Sequence, residues 1–269
     1  MFFLLMYLLE NNMKKIITLL SLFIFIDSVQ AETSDQRVYR SEFMFCNYNE
    51  GNTYQDVLAE QAPYKMFLEE NGLEYNRLNL MPIWDNNAEY DYVMWGNWPN
   101  GEMQYKEWGA YMNDYPAWAE ENGVTNNVAG DCKNYISMMN HRVLYTSTGE
   151  YDDRMFSDWR QCTLKPRADM AELKAVYAEM EQLARDRGEG GYAIHFFTPY
   201  RGFQEDLPYD FLMSYIWFTS EARSAGVANW PEWNALMEES GLYKKRDKHI
   251  ESCTGADTYQ LDWVYSTIE

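Results

Sequence analysis

From about residue 42 onward, the chain alternates between two kinds of apolar spacing, and it runs through the same series twice. A short apolar strand over 42–48 precedes a helix over 54–70 in which Val57, Leu58, Met66 and Phe67 recur at helical intervals. Strands over 77–84 and 90–95 follow, then a helical region over 102–122 and a last strand over 135–139. The second series places strands at 155–163, 192–199, 209–215 and 259–265. Its helices lie at 170–187 and 220–240, and Leu173, Val176, Tyr177, Met180 and Leu183 form the apolar stripe of the first. Gly72, Gly123, Gly188 and Gly241 stand just past the helices, where a left-handed residue closes the last turn.

The two series are copies. Cys46 and Cys162 lie 116 residues apart, Pro82 and Pro199 117, and the AEENG and MEESG segments 118. The Tyr-Asp pairs Tyr90-Asp91 and Tyr209-Asp210 are separated by 119, and DCKNY is matched by SCTGADTY at about 121. Matching signposts in one order indicate a tandem duplication of a βαββαβ unit. Such a unit folds as a ferredoxin-like α+β sandwich with sheet order 4-1-3-2. Its helices cover one face of the sheet and leave the other apolar, so the second copy is the natural cover. The expected fold is therefore α+β, two tandem ferredoxin-like βαββαβ units packed as an intrachain dimeric α+β barrel. The alternative is two independent sandwiches. The units are expected at 32–146 and 155–269, joined by a linker over 147–154.

The N-terminus reads as an export signal. Met13-Lys14-Lys15 is a basic start, Ile16–Ile26 is apolar apart from Thr18 and Ser21, and Val29-Gln30-Ala31 is a small-x-small cleavage pattern. Residues 1–31 are thus expected to be a signal peptide with initiation at Met13. An uncleaved anchor is disfavoured, since eleven residues span about half of a ~30 Å hydrocarbon core. The expected location is periplasmic or secreted.

With 42 acidic against 22 basic residues, the chain carries a formal charge of −20, which repels nucleic acid and anionic membrane surfaces. Neither is an expected partner; a small-molecule ligand is. Four cysteines in an exported chain normally pair. In the order 4-1-3-2, strands 1 and 4 are antiparallel neighbours, so Cys46–Cys132 and Cys162–Cys253 are the expected disulfides. No metal site is expected, because the cysteines and histidines lack zinc spacing.

Among three histidines, His141 and His249 read as solvated, whereas His195 sits inside an apolar strand where the first copy has Leu78. That change could mark a site facing the barrel interior, or simply a hydrogen-bonded strand histidine. Arg201 against Trp84 is a second asymmetry. Asp91 and Asp210, beside Tyr90 and Tyr209, read either as turn residues satisfying local backbone or as carboxylates at a barrel mouth. Tryptophans in 95–108 and 229–233 could stack on sugars or flat ligands or fill the core. No nucleophile-elbow, zincin, P-loop or Rossmann signature is present.

The twin openings CNYNEGNTYQDV and CTLKPRADMAEL, with the YD(Y/F)(V/L)M strands, resemble a group of secreted tandem-repeat proteins of marine bacteria. More distantly, the chain resembles the dimeric α+β barrel superfamily, which includes small monooxygenases, polyketide-modifying enzymes and haem proteins similar to chlorite dismutase. The second copy departs from the pattern by lacking the segment Glu50–Thr53. The resemblance implies a fold; were haem bound, His195 would be its axial ligand. The leading expectation is an exported protein binding a small apolar or aromatic ligand. An oxygenase- or haem-type enzyme is the alternative, and a structural protein of the cell envelope is the third.

Overall fold

The computed structural model describes residues 38–85, 88–124, 128–203 and 207–268. The expected signal peptide lies outside them. The first unit comprises β1 (Val38–Tyr48), α1 (Tyr54–Glu70), β2 (Asn76–Trp84), β3 (Tyr92–Trp98), α2 (Gly101–Asn113), α3 (Tyr115–Glu121) and β4 (Gly130–Thr146). The second comprises β5 (Arg154–Leu164), α4 (Met170–Asp186), β6 (Tyr192–Arg201), β7 (Phe211–Trp217), α5 (Ser220–Ala228), α6 (Trp230–Glu239), α7 (Leu242–Arg246), β8 (Ile250–Cys253) and β9 (Asp257–Ser266).

Local chemistry sets these boundaries. Thr53 and Asp56 form a capping box at the start of α1, and Asn100, Asp169 and Thr219 accept from backbone N–H groups at the starts of α2, α4 and α5. Gly72, Gly123, Gly188 and Gly241 close helices at φ of +60°, +65°, +69° and +73°. The expected helical regions over 102–122 and 220–240 are each divided into two helices. Pro116 and Pro231 stand in the first turns of α3 and α6, where a missing N–H is harmless, whereas within a longer helix each would remove a bond. The last strand of the first unit is also far longer than the apolar run at 135–139. Its extension pairs with β6, and a partner strand supports polar residues that periodicity alone does not assign.

Each unit has the order 4-1-3-2, as β4-β1-β3-β2 and β9-β5-β7-β6, all antiparallel. The two sheets join edge to edge through β4–β6 and β2–β9, closing an eight-stranded barrel, with β8 extending the pairing of β5. This is an intrachain dimeric α+β barrel. Closure pairs both outer strands of each four-stranded sheet. Cys46 pairs with Cys132 and Cys162 with Cys253 in the strand register, and both pairs are disulfide-bonded across 86 and 91 residues.

Alternation along the strands separates three apolar layers. On β6, Ile194 and Phe196 face α4, whereas Ala193 and Phe197 face the lumen. Inside the barrel, Phe43, Trp95, Trp159 and Phe197 pack with ring centroids 4.9 to 5.9 Å apart, and both units contribute to this cluster. Tyr90 and Tyr209 lie just before β3 and β7 and pack against the same cluster.

Candidate functional site

Beside that aromatic cluster the lumen opens into a cavity of about 550 Å³, a size suited to a small ligand. It lies where β1, β2, β5 and β6 begin and β3, β4, β7 and β9 end, so both units line it. The strand register shows that its walls are built from matching positions of the two copies. Asn76 pairs with Asn97 as Ala193 pairs with Ile216; His195 pairs with Arg142 as Leu78 pairs with Trp263; and Phe197 pairs with Asn140 as Leu80 pairs with Leu261.

At five of these six matching positions one copy is polar and the other apolar; Leu80 and Phe197 are apolar in both. Asn76, Asn97, Asn140, Arg142 and His195 make one arc across β2, β3, β4 and β6. Leu78, Leu261, Trp263, Met155, Ile216 and Ala193 make the opposite arc across β2, β9, β5, β7 and β6. One wall therefore offers hydrogen bonds and a cation, and the other is mainly apolar surface, with Tyr145, Tyr151, Asp152 and Ser266 at or beyond the strand ends.

The polar wall is a directed network. Nδ1 of His195 lies 2.7 Å from Oδ1 of Asn140; an amide oxygen only accepts, so Nδ1 carries the proton. Asn140 in turn donates to Asn97 Oδ1 at 3.1 Å, which also accepts from Trp95 Nε1 at 2.9 Å and from the Ser41 hydroxyl. Asn97 donates onward to Asn76 Oδ1 at 2.9 Å. With Nδ1 so engaged, the lone pair of His195 is on Nε2. Burial, followed by the positive charge of Arg142, pushes the His195 pKa down to about 3, so the imidazole is neutral across physiological pH. The guanidinium of Arg142 also lies over the Tyr145 ring, 4.5 Å from its centroid.

Of His195, Arg201, Asp91, Asp210, Tyr90 and Tyr209, His195 alone lines this cavity, and Trp95 of the 95–108 segment lines it as part of the packed aromatic cluster. Asp91 Oδ2 accepts from the backbone N–H of Tyr48 at 2.8 Å, and Asp210 Oδ2 from that of Leu164 at 2.6 Å. The backbone N–H groups of the same two aspartates donate to Cys46 and Cys162, each at 2.9 Å. Both carboxylates thus secure the end of their unit's first strand. Asp85 Oδ2 accepts from the hydroxyls of Tyr90 and Tyr259 at 3.0 and 2.7 Å, and Tyr209 packs against the lumen cluster. Arg201 is exposed at the end of β6 and lies 5.2 Å from the Tyr200 ring centroid.

The solvated reading of the other histidines fails. His141 is half-buried, with Nε2 3.3 Å from Thr198 Oγ1 and its pKa pushed down to about 4 by burial, then by Lys174 and Arg40; His249 is buried beneath α4. The three asparagines and Arg142 carried a sequence signal, since each differs from its counterpart in the other copy, but only strand register brings them to one wall.

No protein-family model and no curated protein matches the sequence. The fold is similar to solved structures. A mutant chlorite dismutase from Candidatus Nitrospira defluvii gives a TM-score of 0.45 at 9% identity, covering 86% of this chain and 94% of that one. A proposed monooxygenase from Lactobacillus acidophilus NCFM gives 0.49 at 14%, covering 87% and 97%. An anthrone oxidase-like protein gives 0.45 at 13%, covering 86% and 95%.

Proposed function

We propose that the protein binds a small amphipathic molecule, an apolar or aromatic body with one polar edge, in the barrel cavity. The observation that carries this reading is the division of the cavity into an apolar wall and a hydrogen-bonded polar wall. A flat ring would lie on Leu78, Leu261 and Trp263, while a hydroxyl would donate to His195 Nε2 and an oxygen would accept from Arg142. Two disulfides favour an oxidising compartment, in keeping with an exported protein, and no helix among the described residues is long and apolar enough to cross a membrane. A titration with 2-naphthol, which has a flat apolar body and one O–H, tests the binding mode. The ¹⁵N imidazole signal of His195 is expected to shift saturably. An unchanged signal up to the solubility limit of the probe would refute it.

A second reading rests on His195 itself. A metal-bound histidine typically presents one ring nitrogen to the metal and donates from the other to a fixed acceptor, as His195 does to Asn140. Its neutral imidazole and the size of the cavity would fit haem, with His195 as the residue that would hold the iron. When bound, haem supplies a redox-active iron for oxygen chemistry; His195 would hold it, and Arg142 would place a cation beside it. A Soret band on haem addition that disappears in His195→Ala supports this reading, and a spectrum of free haem in both proteins eliminates it.

A further inference from the structure

A second cavity, of about 410 Å³, lies outside the barrel between α4 and the α5–α7 region of the second unit. The first unit fills the corresponding space with its own side chains. There Glu107, buried on α2, accepts from Trp98 Nε1 at 3.2 Å and from the Tyr64 hydroxyl, and Leu73 is buried alongside. Trp98 and Trp217 occupy equivalent places, pairing with Arg40 on β1 and Phe156 on β5. Counted from the helix caps Asn100 and Thr219, Glu107 corresponds to Gly226. At the helix ends the backbone N–H of Glu189 donates to Ala184 as that of Leu73 donates to Leu68, so Glu189 corresponds to Leu73, and the second unit has one extra residue before Tyr192.

A glycine therefore replaces the buried Glu107, and at the position of buried Leu73 the second unit has Glu189, which lines the cleft. A Cβ at Gly226 would stand 2.3 Å from the Trp217 ring, so the indole lies directly on the helix backbone. Trp217 has also lost the carboxylate that its counterpart uses, and its Nε1 is buried without a hydrogen-bond partner among the described residues. An unpaired buried donor of this kind is costly unless something accepts from it. It borders the cleft, together with Tyr192, whose ring lies 5.2 Å away, and the half-exposed Trp230.

The charges around the cleft limit what the acceptor can be. Glu150, Glu189 and Glu221 line it, in a chain of net charge −20, and all disfavour an anion. Arg246 does not offset them, since Asp247 Oδ1 lies 2.8 Å from its Nε and 2.7 Å from a terminal nitrogen. A hydroxyl meets both requirements, because its oxygen accepts from Trp217 Nε1 and its proton goes to a carboxylate. Aromatic faces at Tyr192 and Trp230 suit the apolar face of a saturated ring.

We propose that this cleft binds an uncharged polyhydroxylated ring, the pyranose of a glycoside or glycan. The site is separate from the barrel cavity, so either can fail without the other. The test uses the mature protein labelled with 5-fluorotryptophan, whose ¹⁹F signals for Trp217 and Trp230 are assigned from Trp217→Phe and Trp230→Ala. The probes are the methyl β-glycosides of glucose, galactose and mannose, and benzoate as a planar anion. At least one glycoside is expected to shift both signals saturably. Trp230→Ala, altering an exposed residue, should abolish the Trp217 shift, and Trp217→Phe should weaken binding about fivefold through loss of one neutral hydrogen bond. The proposal is overturned if no glycoside shifts the two signals, if benzoate alone does, or if binding persists unchanged in both variants.

Discussion

Replacing His195 with leucine, the residue at the matching position of the first unit, should change the pH dependence of stability by an amount that the structure sets. The native imidazole has its pKa pushed down from 6.5 to about 3 by burial and by Arg142, whereas in the unfolded chain it protonates normally. Below pH 6.5 the unfolded state therefore binds the extra proton, and stability falls as the pH drops from about 6.5 toward 3; above 6.5 this residue has no effect. At pH 5 the unfolded chain is about 1.5 pH units into its titration while the native protein is not protonated, which costs about 2 kcal/mol relative to pH 7.5. His195→Leu removes that cost. It also leaves Asn140 Oδ1 without its donor, a penalty on the order of 1–3 kcal/mol that does not vary with pH. The variant should thus be less stable than the parent at pH 7.5, and the gap should close or reverse by about 2 kcal/mol at pH 5. Urea unfolding followed by tryptophan fluorescence at pH 7.5, 6 and 5 measures both terms, and the titration of His141 cancels in the difference. Parallel stability profiles for the two proteins would show that His195 titrates normally, and the neutral, network-held imidazole would have to be abandoned.

Glu107 gives the opposite sign. Burial is the largest influence on its carboxyl, followed by the opposing hydrogen bond from Tyr64, and the net effect raises its pKa from 4.5 to about 7. The stability due to the protonated native form is present below pH 4.5 and lost as the pH rises to about 7, a total of about 3 kcal/mol. Glu107→Gln should not show this loss, and denaturation profiles that fall equally between pH 5 and 8 in both proteins would contradict it. Removing either disulfide by paired Cys→Ser substitution should cost roughly 4 kcal/mol in the loop-closure treatment, and similarly for both, since the loops span 86 and 91 residues. Thermal melts that separate the two variants widely would show that strain or residual structure outweighs loop closure. Asp91→Ala and Asp210→Ala should each lower stability by about 1–2 kcal/mol, because each leaves one strand-end N–H without its acceptor. A rise in Tm on adding calcium to the parent, abolished by these substitutions, would instead favour a cation site.

The architecture was legible because its signals are local and repeated. Apolar periodicity, terminal glycines and paired cysteines each sit within one element, and the duplication supplies every one of them twice. The recurrence of Tyr-Asp was likewise legible as repetition, and its physical cause is a backbone N–H at the end of β1 and β5 that needs an acceptor in both copies. The polar wall of the site was legible at His195, where a polar ring interrupts the apolar run of β6. Asn76, Asn97 and Asn140 are ordinary residues near strand ends until pairing across β2–β3 and β4–β6 brings them to one wall. That pairing includes register shifts on β4, which sequence spacing does not reveal. Arg201 shows the converse error. It differs from Trp84 as sharply as His195 differs from Leu78, but both residues are exposed at strand ends outside the cavity, so their divergence has no common site to act on.

The tandem arrangement explains how such a cavity can have two unlike walls. In a barrel made from two identical chains, every residue lining the lumen appears twice, related by the two-fold axis. Asn76, Asn97, Asn140 and Arg142 would then occupy both arcs, and either His195 or Leu78 would occur at both equivalent points. A symmetric lumen of that kind must have the same polarity at opposite positions of each level, so it cannot be divided into one polar and one apolar wall. Joining the copies in one polypeptide lets matching positions diverge, and the pairs Asn76 and Ala193, Asn97 and Ile216, Asn140 and Leu261, and Arg142 and Trp263 have each done so. Because the polar members come from the first unit except for His195, the imidazole of the second unit is held by an asparagine of the first. Neither unit alone can orient it, so ligand binding in the cavity should require the closed barrel, and conditions that part β4 from β6 should abolish binding before they unfold either sheet.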